Sequence, residues 1–198
     1  MRWLGLTGGI ASGKSTVSSL LREAGIPVLD ADQLAHEVVA KGSPGLKSVV
    51  EVFGEGILLE DQSLDRRKLG QLVFSQPERL RKLEEITHPL IQKETQNWRQ
   101  DLEKQNVELA IYDIPLLFET KSQDNFDTVI VVTCTLEQQK ARLLARNQLT
   151  PTEIEARLRA QIPLPYKEEQ ADFILRNNSD RDSLLVEFQR LMLWLKKK

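Results

Sequence analysis

The sequence has a single cysteine, almost no net charge and no long apolar run, and each shortage excludes a class of protein. Because Cys134 is the only cysteine, the chain can form neither an intramolecular disulfide nor a cysteine-ligated metal cluster, which fits a reducing compartment. The formal net charge of −2 gives no general attraction for nucleic acid or anionic membranes. Apolar residues nowhere continue for the roughly eighteen positions that a membrane-spanning helix needs.

No secretory signal is visible in the sequence. The apolar stretch at residues 3–6 is too short for one and breaks at glycines. The chain has 198 residues, of which 40% are hydrophobic and 28% charged, which is typical of one globular domain with a smaller attached subdomain. We therefore expect a cytoplasmic protein that binds neither nucleic acid nor membranes, and we favour a monomer.

The most informative stretch follows an apolar segment at residues 2–7, which we predict to be the first strand. Residues 8–16 contain Gly, four residues, then Gly-Lys-Ser, the full phosphate-binding loop pattern. Glycines let successive N–H groups turn around a phosphate, and the following helix adds unpaired N–H groups. Lys14 can reach the β- and γ-phosphates of a nucleotide, and Ser15 can offer its hydroxyl to Mg²⁺. An ordinary glycine-rich strand-to-helix turn is the alternative. The candidate nucleotide-binding residues here are Gly8, Gly9, Ala11, Ser12, Gly13, Lys14, Ser15 and Thr16.

Four further apolar runs predict the other strands of a sheet. They cover residues 26–30, 108–113, 128–134 and 172–175. The runs are continuous rather than alternating, and helical patterns separate them, which is typical of a parallel sheet covered on both faces. We predict a three-layer α/β fold whose ligands gather at the carboxyl ends of the strands. A last amphipathic helix is predicted over residues 182–195.

Residues 35–107 separate the second strand from the third and have helical character. A crossover needs only about a dozen residues, so this insertion has the size of a substrate-binding subdomain. A stabilising helical elaboration is the alternative. Ser75 and Glu78 form the pattern of a capping box for one helix, and His88-Pro89 leads into another, longer helix. The residue pattern leaves His88 between a structural and a functional role.

Basic residues concentrate in residues 136–165, after the fourth strand. Arg142 and Arg146 share one helix face, and Arg157 and Gln161 have the same spacing on a second helix. Two short basic helices beyond a central strand predict a lid that closes over phosphates, because an anion would offset the repulsion between like charges. A plain solvated face is the alternative.

Two aspartates at predicted strand ends are candidates for orienting an acceptor hydroxyl in phosphoryl transfer. Asp32 follows the second strand and Asp113 ends the third. Either could be the base while the other holds Mg²⁺ through water. Asp32 is the better base because it precedes the insertion that should hold the acceptor, and its alternative role is to cap the helix before Leu34. Asp30 is expected to be a turn or cap residue.

Together these segments resemble the dephospho-coenzyme A kinase family over nearly the whole chain. The phosphate loop alone would fit many families, but its combination with the other segments is far more specific. The matching segments are the loop, Asp30-Ala31-Asp32, Thr87-His88-Pro89, residues 113–119 (Asp-Ile-Pro-Leu-Leu-Phe-Glu), Arg142, Arg146, Arg157 with Gln161, Ala171-Asp172-Phe173 and Asn177-Asn178.

The resemblance implies transfer of the γ-phosphoryl group of ATP, with Mg²⁺, to the ribose 3′-hydroxyl of dephospho-coenzyme A, the last step of coenzyme A synthesis. ATP and dephospho-coenzyme A would be its small-molecule partners. It also implies a P-loop NTPase-type α/β fold with a five-stranded parallel sheet. The implied parts are a nucleotide-binding core (1–34, 108–135 and 166–198), a helical acceptor-binding insertion (35–107) and a helical lid (136–165).

The likeness also assigns roles to individual residues. Asp32 would be the base, Lys14 and Arg142 would act on the ATP phosphates, and Asn177 would lie near the adenine. The remaining implied contacts are Arg146 with the nucleotide, His88, Asp113, Leu117 and Arg157 with the acceptor, and Ser15 and Asp113 with Mg²⁺.

Two other functions stay open on the residues alone. A kinase of the same chemistry could act on a nucleoside monophosphate or a small hydroxylated metabolite, because the loop and the lid fit such an acceptor equally well. A nucleotide-dependent switch is the second possibility. The Asn/Thr-Lys-x-Asp and Asp-x-x-Gly patterns expected of a GTPase do not occur.

Overall fold

The structure is a computed structural model that describes residues 1–147 and 149–197, with the backbone alone at residues 146 and 147. Within these residues the chain forms five strands and nine α-helices. The strands are β1 (Arg2–Gly8), β2 (Val28–Asp30), β3 (Leu109–Asp113), β4 (Thr128–Thr133) and β5 (Phe173–Arg176). The helices are α1 (Lys14–Glu23), α2 (Ala31–Glu37), α3 (Pro44–Phe53), α4 (Arg66–Phe74), α5 (Pro77–Lys104), α6 (Leu136–Asn147), α7 (Pro151–Arg159), α8 (Leu164–Glu169) and α9 (Arg181–Lys197). None of these helices combines the length and the apolar character needed to cross a membrane.

The chain divides into two compact units. Residues 1–29 and 107–198 form the first unit, and residues 30–106 form the second. The segment from 136 to 165 belongs to the first unit. Its behaviour as a separate lid stays a prediction.

All five strands form one parallel sheet in the order β2-β3-β1-β4-β5, which confirms the predicted α/β fold. In the central strand, Leu6 pairs with Asp113 of β3 on one side and with Ile130 of β4 on the other. This register brings the end of β1, where the glycine-rich loop begins, to the same edge as Asp113. The predicted strands agree with the observed ones to within two residues at either end.

Hydrophobic side chains cover both faces of the sheet. Ile130 and Val132 of β4 belong to a cluster that includes residues of α1 and α9, whereas Val129 and Val131 belong to a second cluster with Leu164 of α8. Successive residues of a strand point to opposite faces, so the two clusters lie in separate layers. This explains why β4 is buried along its whole length and reads as a continuous apolar run.

The second unit is a group of helices around its own core. Leu46 and Val49 of α3 pack in one cluster with Leu69 and Val73 of α4. Helix α3 ends at Gly54, whose φ of 82° suits a residue without a Cβ. The predicted helical character of this insertion is therefore correct, although two details of it are wrong.

The first wrong detail is the cap predicted at Ser75. Its hydroxyl donates to the carbonyl of Gln71, 3.1 Å away, and makes no capping bond to the next helix. Helix α5 begins at Pro77, and its N-cap residue is Gln76, which makes no side-chain capping bond. A proline at the first helical position has no N–H to cap and already has a helical φ, so the helix can start there without the predicted box.

The second wrong detail is the break predicted at His88-Pro89. Helix α5 is continuous over 28 residues and contains Pro89 in its interior. Proline has no N–H, so it leaves the carbonyl four residues earlier without its helical partner. That carbonyl belongs to Glu85, which is exposed like Pro89, so water can hydrogen-bond to it.

Candidate active site

The loop after β1 turns through two residues with positive φ. Gly13 has a φ of 95°, and Ala11 has a φ of 59° although it carries a Cβ. The Ser12 N–H donates to the carbonyl of Gly9, 3.1 Å away. The chain therefore turns tightly between the strand and the start of α1 at Lys14.

Backbone amides without an acceptor gather at this turn. Within the described chain, the N–H groups of Ala11, Gly13, Lys14 and Ser15 donate to no protein group. Three of them stand at the start of α1, where helix geometry leaves N–H groups unpaired and the helix dipole is positive. Such a helix start binds phosphate readily. The exposed Ser15 hydroxyl belongs to the same first turn.

Two glycines of the loop have no room for a side chain. A Cβ at Gly8 would come 2.5 Å from the carbonyl oxygen of Val132 and 2.7 Å from the Ser12 hydroxyl. A Cβ at Gly13 would come 2.1 Å from Nδ2 of Asn177. That Nδ2 donates to the carbonyl of Ser12, at 2.9 Å. Asn177 is thus packed directly against the loop, next to Gly13.

Asp113 is buried, with 2% of its side chain exposed, and both of its carboxylate oxygens have partners. Oδ1 forms an ion pair with the Lys14 ammonium, and Oδ2 accepts a hydrogen bond from the hydroxyl of Ser18, 2.5 Å away. Lys14 retains 19% exposure. In this structure Asp113 is therefore the counter-ion of Lys14, and its roles as base or Mg²⁺ ligand stay predictions.

Arg142 lies against the back of the loop. One guanidinium nitrogen donates to the carbonyls of Ala11 and Ser12, at 3.2 and 3.3 Å, and the other donates to the carbonyl of Asn177, at 2.9 Å. The predicted contact of Arg142 with ATP phosphates stays a prediction, but its charge is already placed beside the loop. The side chain of Arg146 lies outside the described residues.

Two glutamines, which the sequence did not identify as loop contacts, hold Ile10. Its N–H donates to Oε1 of Gln161, at 2.8 Å, and its carbonyl accepts a hydrogen bond from Nε2 of Gln139, at 2.7 Å. Gln139 belongs to α6 and Gln161 follows α7, so both ends of the predicted lid reach the loop. No local pattern predicts contacts between residues more than a hundred positions apart. The sequence indicates Gln161 only through its spacing from Arg157.

Cys134 lies at the end of β4, behind the loop, and is buried. Burial raises the pKa of its thiol, and the nearby Arg142 guanidinium partly opposes that rise. A cavity of about 620 Å³ lies between this position, Gly9 and the segment 161–165. Its walls are mostly apolar, including Leu158 and Leu164.

The second unit carries two of the predicted site residues. Asp30 caps α2: its Oδ1 accepts from the N–H groups of Asp32 and Gln33, at 2.9 and 3.0 Å, which confirms its expected capping role. Asp32 is therefore not the cap, and its exposed carboxylate makes no hydrogen bond within the described chain. His88 is exposed on α5 and lines a groove with Arg81 and Glu85, among others.

Leu117 and Arg157, the other two residues implied as acceptor contacts, differ in burial. Leu117 has no exposed surface, and its side chain lies 2.6 Å from where a Cβ on Gly5 would be. Leu117 therefore belongs to a hydrophobic core cluster, and its contact with the acceptor stays a prediction. Arg157 is exposed on α7, where its charge lowers the pKa of Glu153 as a minor contribution after hydrogen bonds from Thr150.

The described residues do not form a complete coordination site for a magnesium ion. The described residues contain no group of three or more His, Cys, Asp or Glu side chains arranged to hold a metal. Mg²⁺ commonly keeps several waters and is bound through substrate phosphates with one or two protein ligands. The exposed hydroxyl of Ser15 at the loop fits that mode, and a dedicated protein site is not required.

Comparison with known proteins agrees with this geometry. The family model "CoaE: Dephospho-CoA kinase" matches residues 2–183. A dephospho-CoA kinase of Bdellovibrio bacteriovorus is 59% identical over 195 residues, which cover 98% of this chain and 96% of that protein.

Solved structures are similar over the same extent. A crystal structure of a Thermus thermophilus protein has a TM-score of 0.81 at 34% identity and covers 98% of this chain and 97% of its own. The dephospho-CoA kinase from Campylobacter jejuni has a TM-score of 0.76 at 30% identity, covering 100% of this chain and 98% of its own. With a family match over most of its length and a relative of such high identity, the chain belongs to the dephospho-CoA kinase family.

Proposed function

We propose that the chain transfers the γ-phosphoryl group of ATP to the ribose 3′-hydroxyl of dephospho-coenzyme A, with the phosphate loop holding ATP and Asp32 orienting the hydroxyl. Family membership makes it a kinase that uses ATP. The observation that carries the residue assignment is the loop itself, where four amides without an acceptor accompany the Lys14 ammonium. Positive groups fixed in this way match the charge of a triphosphate before it arrives.

Lys14 is the residue whose positive charge is proposed to neutralise the transferred phosphoryl group. In phosphoryl transfer the enzyme mainly positions the reactants and neutralises charge. Asp113 holds the Lys14 side chain at the loop, and the ammonium has further N–H donors for phosphate oxygens. Asp113 is then proposed as an orienting residue, because it pairs with Lys14 and is itself held by Ser18.

Asp32 is the proposed base. Its carboxylate is exposed and uncommitted, whereas Asp113 is buried and paired. A loose transition state leaves the proton on the hydroxyl until late, so the carboxylate need not remove it early. Orientation of the 3′-oxygen is therefore the main contribution expected of Asp32.

Mg²⁺ is proposed to accompany ATP, with the Ser15 hydroxyl as its ligand from the chain. When bound, the ion neutralises charge on the β- and γ-phosphates. The chain's own part is to present the hydroxyl in the first turn of α1, next to the unpaired amides. The guanidinium of Arg142 is fixed against the loop carbonyls, and Arg142 is proposed to add positive charge from the back of the loop.

The wider setting is proposed to be simple. The substrates ATP and dephospho-coenzyme A are small molecules of the cytoplasm, where we place the chain. A monomer is the proposed working state.

A turnover assay tests the function. Purified protein with ATP, Mg²⁺ and dephospho-coenzyme A should produce ADP and coenzyme A in equal amounts, above a blank without acceptor. AMP and adenosine serve as alternative acceptors, and a preference for either would contradict the proposed substrate. The Lys14→Met variant should lose ATP affinity and rate together, because it lacks the charge that faces the phosphates, and it should also be less stable, because Asp113 loses its counter-ion.

A further inference from the structure

The segment that follows α7 contacts the phosphate loop and a buried ion pair at neighbouring residues. Gln161 accepts a hydrogen bond from the N–H of Ile10 in the loop, at 2.8 Å. The next residue, Ile162, donates its N–H to Oε1 of Glu119, at 2.9 Å. The position of the Ile162 backbone therefore determines where the Gln161 side chain begins.

Glu119 is held in turn by a buried lysine. The Lys167 ammonium lies 2.7 Å from Oε1 of Glu119, and the Lys167 side chain has no exposed surface. Burying an ammonium is costly unless a carboxylate accompanies it, and removing either partner alone would leave a buried charge without compensation. A single carboxylate oxygen thus joins the Lys167 ammonium to the Ile162 amide.

The loop residue that receives this contact is the one before the strained position. Ile10 is hydrogen-bonded at both its N–H and its carbonyl, the latter by Gln139 at 2.7 Å. It directly precedes Ala11, which has a positive φ that costs free energy for a residue with a Cβ. Holding Ile10 on both sides favours this backbone conformation and, with it, the direction of the amides that follow.

We propose that the buried Lys167–Glu119 ion pair positions Gln161 on the Ile10 amide, and that this contact keeps the phosphate loop in its ATP-binding conformation. Gln161, Glu119 and Lys167 are positioning residues, since they act on the phosphates only through the loop. The proposal rests on the proposed binding of ATP at this loop. It assigns to the segment 161–167 a role in nucleotide affinity that is separate from any lid movement.

The first test is the Gln161→Met variant, which removes the acceptor but keeps the side-chain length. Loss of one neutral hydrogen bond should weaken ATP binding by about 3- to 10-fold, measured as the Kd for MgATP by calorimetry. The KM for dephospho-coenzyme A should stay within about twofold of wild type. Gln170→Met, at an exposed glutamine beyond α8, is the matched control and should leave both constants unchanged. An unchanged Kd for MgATP in Gln161→Met overturns the proposal.

The second test asks whether the ion pair acts through Gln161. The double variant Glu119→Gln, Lys167→Met removes both charges together, so neither is left buried alone. It should raise the Kd for MgATP by a similar factor, and adding Gln161→Met should raise it little further. Effects that multiply would show independent contributions and contradict the proposal. A purely structural role would lower the Tm of the double variant without changing its ATP affinity.

Lys167→Arg keeps the positive charge and is the rescue variant. It should bind MgATP more tightly than the double variant, and a loss equal to that of the double variant would count against an ion-pair role. If the double variant does not fold, Lys167→Arg and Gln161→Met still decide the matter. Wild-type protein that binds MgATP but does not phosphorylate dephospho-coenzyme A would refute the proposed function alone, because these comparisons use binding.

Discussion

The buried pair between Lys14 and Asp113 leads to a prediction that separates stability from nucleotide binding. The Asp113→Asn variant keeps the shape of the side chain and removes its charge. The amide can still contact Ser18 and Lys14, but the ammonium loses its counter-ion. We expect a less stable protein that binds ATP at least as well as wild type.

The size of the loss follows from the burial of the two groups. Removing one partner of a fully buried ion pair costs about 3–5 kcal/mol, because the other charge is left without compensation. Asp113 is 2% exposed but Lys14 is 19% exposed, so water can partly solvate the freed ammonium. We therefore expect a loss of about 2–3 kcal/mol, which corresponds to a decrease in Tm of about 4–12 °C for a chain of this length.

ATP should reverse much of that loss. Ligand at about a hundred times its Kd stabilises a protein by about 2.7 kcal/mol, and the phosphates would replace the missing negative charge beside Lys14. The increase in Tm on adding MgATP should thus be at least as large in Asp113→Asn as in wild type. Thermal unfolding followed by circular dichroism, with and without MgATP, measures both quantities. Asp124→Asn, at an exposed site of the same unit, is the control and should change neither.

Two results would refute this reasoning. If the Tm of Asp113→Asn stays within about 2 °C of wild type, the pair does not stabilise the loop as its burial indicates. If instead MgATP no longer raises the Tm of the variant, while ATP without Mg²⁺ still binds, Asp113 is a ligand of the metal rather than the counter-ion of Lys14.

Three further predictions follow from the site. Asp32→Asn should lower kcat by about 10²–10⁴-fold while calorimetry shows unchanged ATP binding; a normal kcat would exclude Asp32 as the base. Gly13→Ala should lower both the Tm and the ATP affinity, because its Cβ would lie 2.1 Å from Nδ2 of Asn177 at a φ of 95°, and a variant with normal affinity would show that the loop can shift freely. Burial raises the pKa of the Cys134 thiol, so its folded state favours the neutral form and its contribution to stability should fall as pH rises above about 8.5, the ordinary thiol pKa. Urea unfolding between pH 7 and 10 should show that the free energy of unfolding falls less with pH in Cys134→Ala than in wild type. Equal decreases in the two proteins would contradict this.

The fold was predictable because its signals are local. Continuous apolar runs gave the strands, and β4 is buried at every position from Thr128 to Thr133. Glycines at positions 25 and 54 both have positive φ and follow helices, as their type suggests. The errors at Ser75 and Pro89 arose where local rules compete: a serine can also bond back into its own helix, and an exposed proline can be accommodated inside a long one.

The site was predictable only in part. The phosphate loop follows from its pattern, because the glycines and the lysine encode a backbone conformation. The contacts of Gln139 and Gln161 with Ile10 join residues 129 and 151 positions apart, and no spacing rule reveals them. Lys167 lies in a stretch of polar residues that is typical of a solvated helix, yet its side chain is fully buried. Tertiary context alone decides such a burial.

The segment 113–119, which starts at the last residue of β3, explains why these long-range contacts meet at the loop. Its first carboxylate, Asp113, pairs directly with Lys14, and its last, Glu119, pairs with Lys167 and accepts the N–H of Ile162. Leu117, between them, is buried in the core. An apolar centre anchors the segment to the sheet, so that each carboxylate is presented from a fixed backbone. The two acidic ends can then hold the beginning and the end of the phosphate loop independently, one through an ammonium and the other through Gln161.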